Sequence, residues 1–362
     1  MMHRMTLPFA LCLFALPSVT AKPDRVVTLA GSGDAKFANG TGTKAGFNQP
    51  FGMCADAKGN LYVADSGNHC IRKVTPSGVV TTWAGTGQKG TADGPAKQVR
   101  FDTPSGVLLD GKGNLLVCSY VENTIRRVDS KGNSVSLIPH RDIGYRDGPA
   151  GQARIFAPRG MALDPKGNLF FTDCWNHRIR KLSKRGVVST IAGGGPTGIE
   201  AKATWRDGKG TEARFYAPCG LAIDRNGNLF VADAENHRIR KIAPDGVVTT
   251  IAGHGPSGKP GRAFADGPSA RSRLNTPTEV VVSDDGTVYF SDTYGNRIRR
   301  IFGGVVSTIA GSGEAGSRDD ILGRAQLNFP RGLVVRKRTF HFVDYNNHTL
   351  RSFRLSDGTA GQ

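Results

Sequence analysis

Apolar residues in this chain come in short runs separated by polar punctuation. The runs are rich in Val, Ile, Leu and Thr, as at Val79–Ala84 and Val247–Ala252. Gly, Asp, Asn and Pro bound them, which is the pattern of short strands joined by turns. No 3.6-residue period is sustained, so helix is predicted to be minor.

The runs recur in a fixed order. Gly59-Asn60-Leu61-Tyr62-Val63-Ala64-Asp65 returns as Gly113 to Ser119, Gly167 to Asp173, Gly227 to Asp233 and, more loosely, Gly286 to Asp292. A degenerate sixth copy ends at Asp344. Successive register residues (Asp65, Ser119, Asp173, Asp233, Asp292, Asp344) are 54, 54, 60, 59 and 52 apart. Each copy opens at a Pro (50, 104, 158, 218, 277, 330), usually as Pro-x-Gly. It then turns at Asp-x-x-Gly-Asn, ends a strand at the register residue and continues through Ile-Arg-Lys to Val-Val-Thr-Thr-Ile-Ala-Gly.

Four strands repeated six times predict an all-β, six-bladed β-propeller of four-stranded antiparallel blades. The last copy lacks its final strand, and Arg25-Val26-Val27-Thr28-Leu29-Ala30-Gly31 at the other end of the chain matches it. The N-terminal strand is therefore expected to close the ring, which removes two exposed sheet edges. On this reading residues 22–362 form a single domain.

These motifs resemble NHL repeats, over essentially the whole chain after its first residues. The departures are Ser119 at a register position, Glu279 where the opening Gly stands elsewhere, and a sixth copy without the Gly-Asn turn. The resemblance implies a propeller used for binding proteins, RNA or extracellular ligands. Related six-bladed propellers also include lyases and hydrolases, so an enzyme of lactonase, hydrolase or lyase type with its site at the channel mouth is the alternative.

What recurs in every blade answers a structural need. His69, His177, His237 and His348 share one offset but sit in separate blades, so they are not expected to converge on one ion. Arg72, Arg126, Arg180, Arg240, Arg299 and Arg351 occur in all six copies and are expected to pair with acids or cover strand faces. The Asp-Gly elements at Asp93, Asp147, Asp207 and Asp266 likewise read as structural.

What differs between copies is more informative. Just after the opening prolines stand Phe51, Ser105, Arg159, Cys219, Thr278 and Arg331; just after the register residues stand Tyr120, Trp175, Glu235, Tyr294 and Tyr345. Aromatic rings beside arginine are what binding surfaces use. The predicted binding face is Phe51, Tyr120, Arg159, Trp175, Glu235, Tyr294, Arg331 and Tyr345. No catalytic residue, metal site or cofactor is assigned.

Composition adds three points. Lys+Arg is 48 against Asp+Glu 30, a formal charge of +18, which favours a polyanion or protein partner: a sulfated glycan before RNA. Residues 1–21 read as a signal peptide, with basic His3 and Arg4, an apolar run from Leu7 to Leu16 and small residues at Val19 and Ala21. That predicts a secreted or surface monomer with no transmembrane segment in its mature form; an organelle transit peptide is the competing reading. The secreted reading leaves five cysteines (Cys54, Cys70, Cys118, Cys174, Cys219), hence at least one without an intramolecular partner, and sequons at Asn39 and Asn347 that would make it a glycoprotein.

Overall fold

The computed structural model describes residues 24–200, 204–254 and 264–356. The segment read as a signal peptide lies outside them. Six antiparallel sheets form the blades of a propeller. Their innermost strands are Pro50–Ala55, Pro104–Leu109, Pro158–Leu163, Pro218–Ile223, Pro277–Val282 and Pro330–Arg336. In each of blades 1 to 5 the remaining strands follow in chain order outward. In blade 6 the outermost strand is Val27–Ala30, paired antiparallel with Thr349–Arg354 through Val27↔Ser352 and Thr28↔Arg351. The ring is closed by the N-terminal strand.

The blades are not uniformly four-stranded. Blades 1, 3, 4 and 5 each gain a two-residue fifth strand: Gly40–Thr41, Gly148–Pro149, Gly208–Lys209 and Gly267–Pro268. These come from the long connections between blades. They pair with the outermost strand, as Gly208↔Val248 does, so the connection covers an edge that would otherwise be open.

Apolar cores lie between blades. Leu116 and Ile125 of blade 2 meet Met161 and Phe171 of blade 3, and the same arrangement repeats around the ring. The Pro-x-Gly glycines let neighbouring innermost strands come close. A Cβ on Gly106 would stand 1.9 Å from the Arg159 carbonyl oxygen, and one on Gly160 would stand 2.3 Å from that of Cys219.

The recurrent arginines hold the blades internally. Arg180 is fully buried; it donates to the register carboxylate of Asp173 and, at 2.7 Å, to Asp147 of the Asp-Gly element. Arg240 and Arg299 repeat this with Asp233 and Asp207, and with Asp292 and Asp266. Asp147 also accepts the Thr190 N–H of the outermost strand. In blade 1, Asn39 takes the outer position, accepting from Arg72 Nη2 at 2.8 Å.

The recurrent histidines hold each blade to the next. Each occupies a left-handed position, with φ between 51° and 57°, at the end of a one-turn helix. Its Nδ1 accepts the backbone N–H of the residue before the next blade's opening proline: Thr103 to His69, Ala217 to His177, Thr276 to His237 and Gln49 to His348. In blades 2 and 5, Asn123 and Asn296 do the same with a side-chain oxygen, for Ala157 and Phe329. The donor residues are themselves left-handed and none is glycine, a conformation costing roughly 1 kcal/mol each. The bond from the preceding blade secures that backbone.

Candidate functional site

The innermost strands all start on one side of the disc, together with the one-turn helices and the long connections; we call this the proline face. The predicted binding residues are on it, and most of them touch. Phe51 of blade 1 lies under two guanidiniums from other blades: Arg331 Cζ is 4.4 Å and Arg159 Cζ 5.1 Å from its ring centroid. Arg159 also stands over Tyr120 at 4.6 Å, and Arg331 over Tyr345 at 4.3 Å. Tyr345 meets Phe51 edge-on at 6.1 Å. The Trp175 Nε1–H donates to the Tyr120 hydroxyl at 2.6 Å. Tyr294 packs its ring on Phe329 at 4.5 Å and is 44% exposed. Glu235 stands apart: its backbone N–H donates to Tyr216, and its carboxylate has no partner among the described residues.

Cysteine also enters this network: Cys219 stands just after an opening proline but is not among the predicted binding residues. Arg159 Nη1 donates to Cys219 Sγ at 3.2 Å, and the Cys219 thiol reaches the Ala217 carbonyl at 3.5 Å. The neighbouring Cys174 thiol and the nearby Arg159 and Arg331 charges lower the Cys219 thiol below its ordinary value, while burial raises Cys174. Arg331 is pushed down to about 10, by burial first and by the charge of Arg159 second. None of the five described cysteines is in a disulfide.

The arginine and aromatic side chains gather across the proline end of the central channel rather than ringing an open hole. A cavity of about 630 Å³ extends from Arg159 and Glu279 toward the opposite face, where Asp56, Ala57, Ser283 and Arg336 line it. Glu279 is the one departure from Gly at the channel waist, and its carboxyl accepts the Val280 N–H at 3.2 Å. Burial raises it to about 8, so it is largely protonated at neutral pH.

Several exposed aromatics of the long connections also stack on arginine: Trp205 under Arg238, Tyr145 under Arg178 and Phe264 under Arg297. The sequence reading passed over them, although an Arg at the first position of the third strand in blades 3, 4 and 5 was the available signal. The Asn347 sequon is occupied internally, since its amide donates to Gly316 O and to Asp344. Asn39 is exposed and engages through its oxygen. Among the described residues no three His, Cys, Asp or Glu side chains are grouped to hold a metal, and no helix is long and apolar enough to cross a membrane.

Comparison with known proteins agrees with this architecture. The NHL repeat family matches residues 47–74 and 215–242, which span the first three strands of blades 1 and 4. The protein SUPPRESSOR OF QUENCHING 1, chloroplastic, of Arabidopsis thaliana is 32% identical over 250 residues, covering 63% of this chain and 23% of that protein. NHL repeat-containing protein 2 of Bos taurus is 29% identical over 306 residues, covering 72% of this chain and 40% of that protein. The chain thus spans well under half the length of these relatives. An auxiliary nutrient binding protein from Bacteroides thetaiotaomicron superposes with a TM-score of 0.67 at 16% identity, over 92% of this chain and 76% of that one. The repeats, the blade count and these relatives agree: the chain is a six-bladed β-propeller with NHL repeats at residues 47–74 and 215–242.

Proposed function

We propose that this propeller is a non-catalytic, monomeric binding module of a secreted or cell-surface compartment. Its partner, a protein or a polyanion such as a sulfated glycan, docks on the proline face at Phe51, Tyr120, Arg159, Trp175, Tyr294, Arg331 and Tyr345. Glu235 belongs to the rim of that surface. The N-terminal apolar segment supports the compartment, and it disfavours RNA.

The observation that carries the reading is the state of Arg159 and Arg331. Every recurrent arginine of the repeat has a carboxylate partner, and eleven acids attend those six. The positive excess therefore rests on the other residues. Arg159 and Arg331 have aromatic rings around them and no carboxylate among the described residues. Arginine and aromatic side chains concentrated in one patch supply most of the energy of typical interfaces.

The test is a salt series of heparin and RNA binding, with a triple variant carrying Arg159→Ala, Trp175→Ala and Arg331→Ala. Non-specific attraction to polyanions falls steeply with salt. Binding that survives ~0.15 M salt and is lost in the variant supports a site on this face. Equal loss with salt in both forms removes the polyanion and leaves protein partners to be sought by the same substitutions. The second reading is a propeller enzyme, and the protonated Glu279 at the cavity floor is what favours it; turnover of a lactone panel that Glu279→Gln abolishes would establish it.

A further inference from the structure

We propose that Arg159 and Arg331 form a clamp for a single oxyanion group, a carboxylate or sulfate, held between their guanidiniums above the Phe51 ring. The inference rests on the binding-face reading and names the chemical group that this face recognises.

The geometry supplies the first argument. Two guanidiniums from blades 3 and 6 flank one ring of blade 1, and each is backed by a second ring, Tyr120 or Tyr345. Rings fix the planes of the guanidiniums without using their N–H donors. A planar fork so held is preorganised for a group with several acceptor oxygens.

The unfilled donors supply the second. The Nε–H groups of both residues are buried and have no hydrogen-bond partner. Arg159 has a sulfur acceptor, Cys219 Sγ, and Arg331 has no side-chain hydrogen bond to any described residue. Buried donors and charges left unpaired are costly, so sites of this kind are completed by a ligand. Unpartnered Nε–H groups also occur on Arg72, Arg126 and Arg240, whose guanidiniums carry carboxylates on their Nη atoms, and on Arg178 and Arg238, whose Nη1 atoms donate to the Asn176 and Asn236 carbonyls. What sets Arg159 and Arg331 apart is that neither a carboxylate nor a backbone carbonyl accepts from their Nη atoms among the described residues.

Charge supplies the third. Two like charges around one ring repel, and burial weakens the screening. Cys219 is the nearby group able to carry an offsetting charge; it accepts from Arg159 Nη1 and its charge acts on both arginines. Glu279, close to Cys219 on the channel side, is mostly protonated and adds little negative charge. An incoming oxyanion therefore meets two cations and one thiol-thiolate competitor.

The experiment is isothermal titration of the purified full chain with sodium sulfate and with sodium acetate at constant ionic strength. Trp175 fluorescence is a second readout, because its indole is bonded to Tyr120 under Arg159. One saturable site is expected for at least one of the two probes; which one distinguishes a tetrahedral from a planar group. Arg331→Gln should weaken it at least tenfold. Arg185→Gln, an exposed arginine on the far face, should leave it unchanged. Cys219→Ala should tighten it, since it removes the competitor and keeps both cations. Should Arg331→Gln fail to fold by circular dichroism, Arg159→Lys replaces it: the charge stays, the fork is lost, and weaker binding is again expected. Absence of saturation with both probes, or equal affinity in the Arg variants, overturns the clamp. If heparin binding still depends on the face while neither small anion binds, the clamp falls and the binding-face reading stands. If heparin and protein partners also fail to bind through this face, that reading falls as well.

Discussion

The Glu122 carboxylate lies 2.7 Å from the Arg126 guanidinium, in the place that a register aspartate fills in the other five blades. Glu122 also accepts the Asp102 N–H, as Asp65 accepts that of Asn48. It stands three residues after Ser119, where blades 1, 3, 4 and 6 have the Asn that donates to the register Asp. Asp and Asn have thus been exchanged for Ser and Glu as a pair, and the longer side chain reaches back to the same arginine.

This relationship predicts a rescue. Glu122→Ala leaves a buried arginine without its inner carboxylate and should cost about 3–5 kcal/mol in urea unfolding. Adding Ser119→Asp to that variant should recover most of the loss, because Asp173 and Asp233 reach their arginines from the equivalent position. If the double variant is no more stable than Glu122→Ala, the two positions are not interchangeable supports.

The interblade histidines predict acid sensitivity. Nδ1 must be unprotonated to accept an N–H, and burial lowers the pKa of His177 and of His348. Their contribution is complete above the unfolded value near 6.5 and is lost as pH falls below it. His177→Asn keeps an acceptor, as Asn123 and Asn296 do in their blades, and should flatten part of the decline in melting temperature as pH falls below about 6.5. His177→Ala should cost about 1–3 kcal/mol, through an unsatisfied Ala217 N–H. An unchanged acid profile in His177→Asn would show that the link is not what titrates.

Glu279 predicts the opposite slope at higher pH. Its folded value is raised to about 8, so the folded chain holds a proton that the unfolded chain releases near 4.5. Stability should therefore decline as pH rises from about 4.5 to 8, and Glu279→Gln should remove that part of the decline. Melting curves at pH 5, 7 and 9 for both proteins compare the two directly.

Two glycines separate close approach from backbone conformation. Gly106→Ala would bring a Cβ to 1.9 Å from the Arg159 carbonyl, so the strands must part; a loss of about 3 kcal/mol is expected, with heat and denaturant agreeing. At Gly111 the added Cβ meets nothing within 4 Å but φ is +73°, so Gly111→Ala should cost only about 1 kcal/mol. The Gly106 change should also disturb the clamp, since it displaces the strand carrying Arg159.

The sequence by itself determined the strands, the six blades and the closing role of Val27–Ala30. Each is written locally, in β-branched runs, Gly turns and one orphan copy of the outermost strand. The repeat also separated recurrent from variable residues, so the structural roles of Arg180 and His177 were legible. Only the tertiary structure decided how variable residues from different blades meet. Phe51, Arg159 and Arg331 are far apart in the chain, and their meeting depends on the width of the channel waist and on side-chain reach. Whether an arginine there has an acid beside it is likewise a property of the closed ring. The rescue of Arg126 by Glu122 was hidden because the register was read as one position, while the carboxylate that matters is defined by where its oxygens arrive. The cavity opening away from the proline face was not legible either, since the same six residues could ring a hole or close across it.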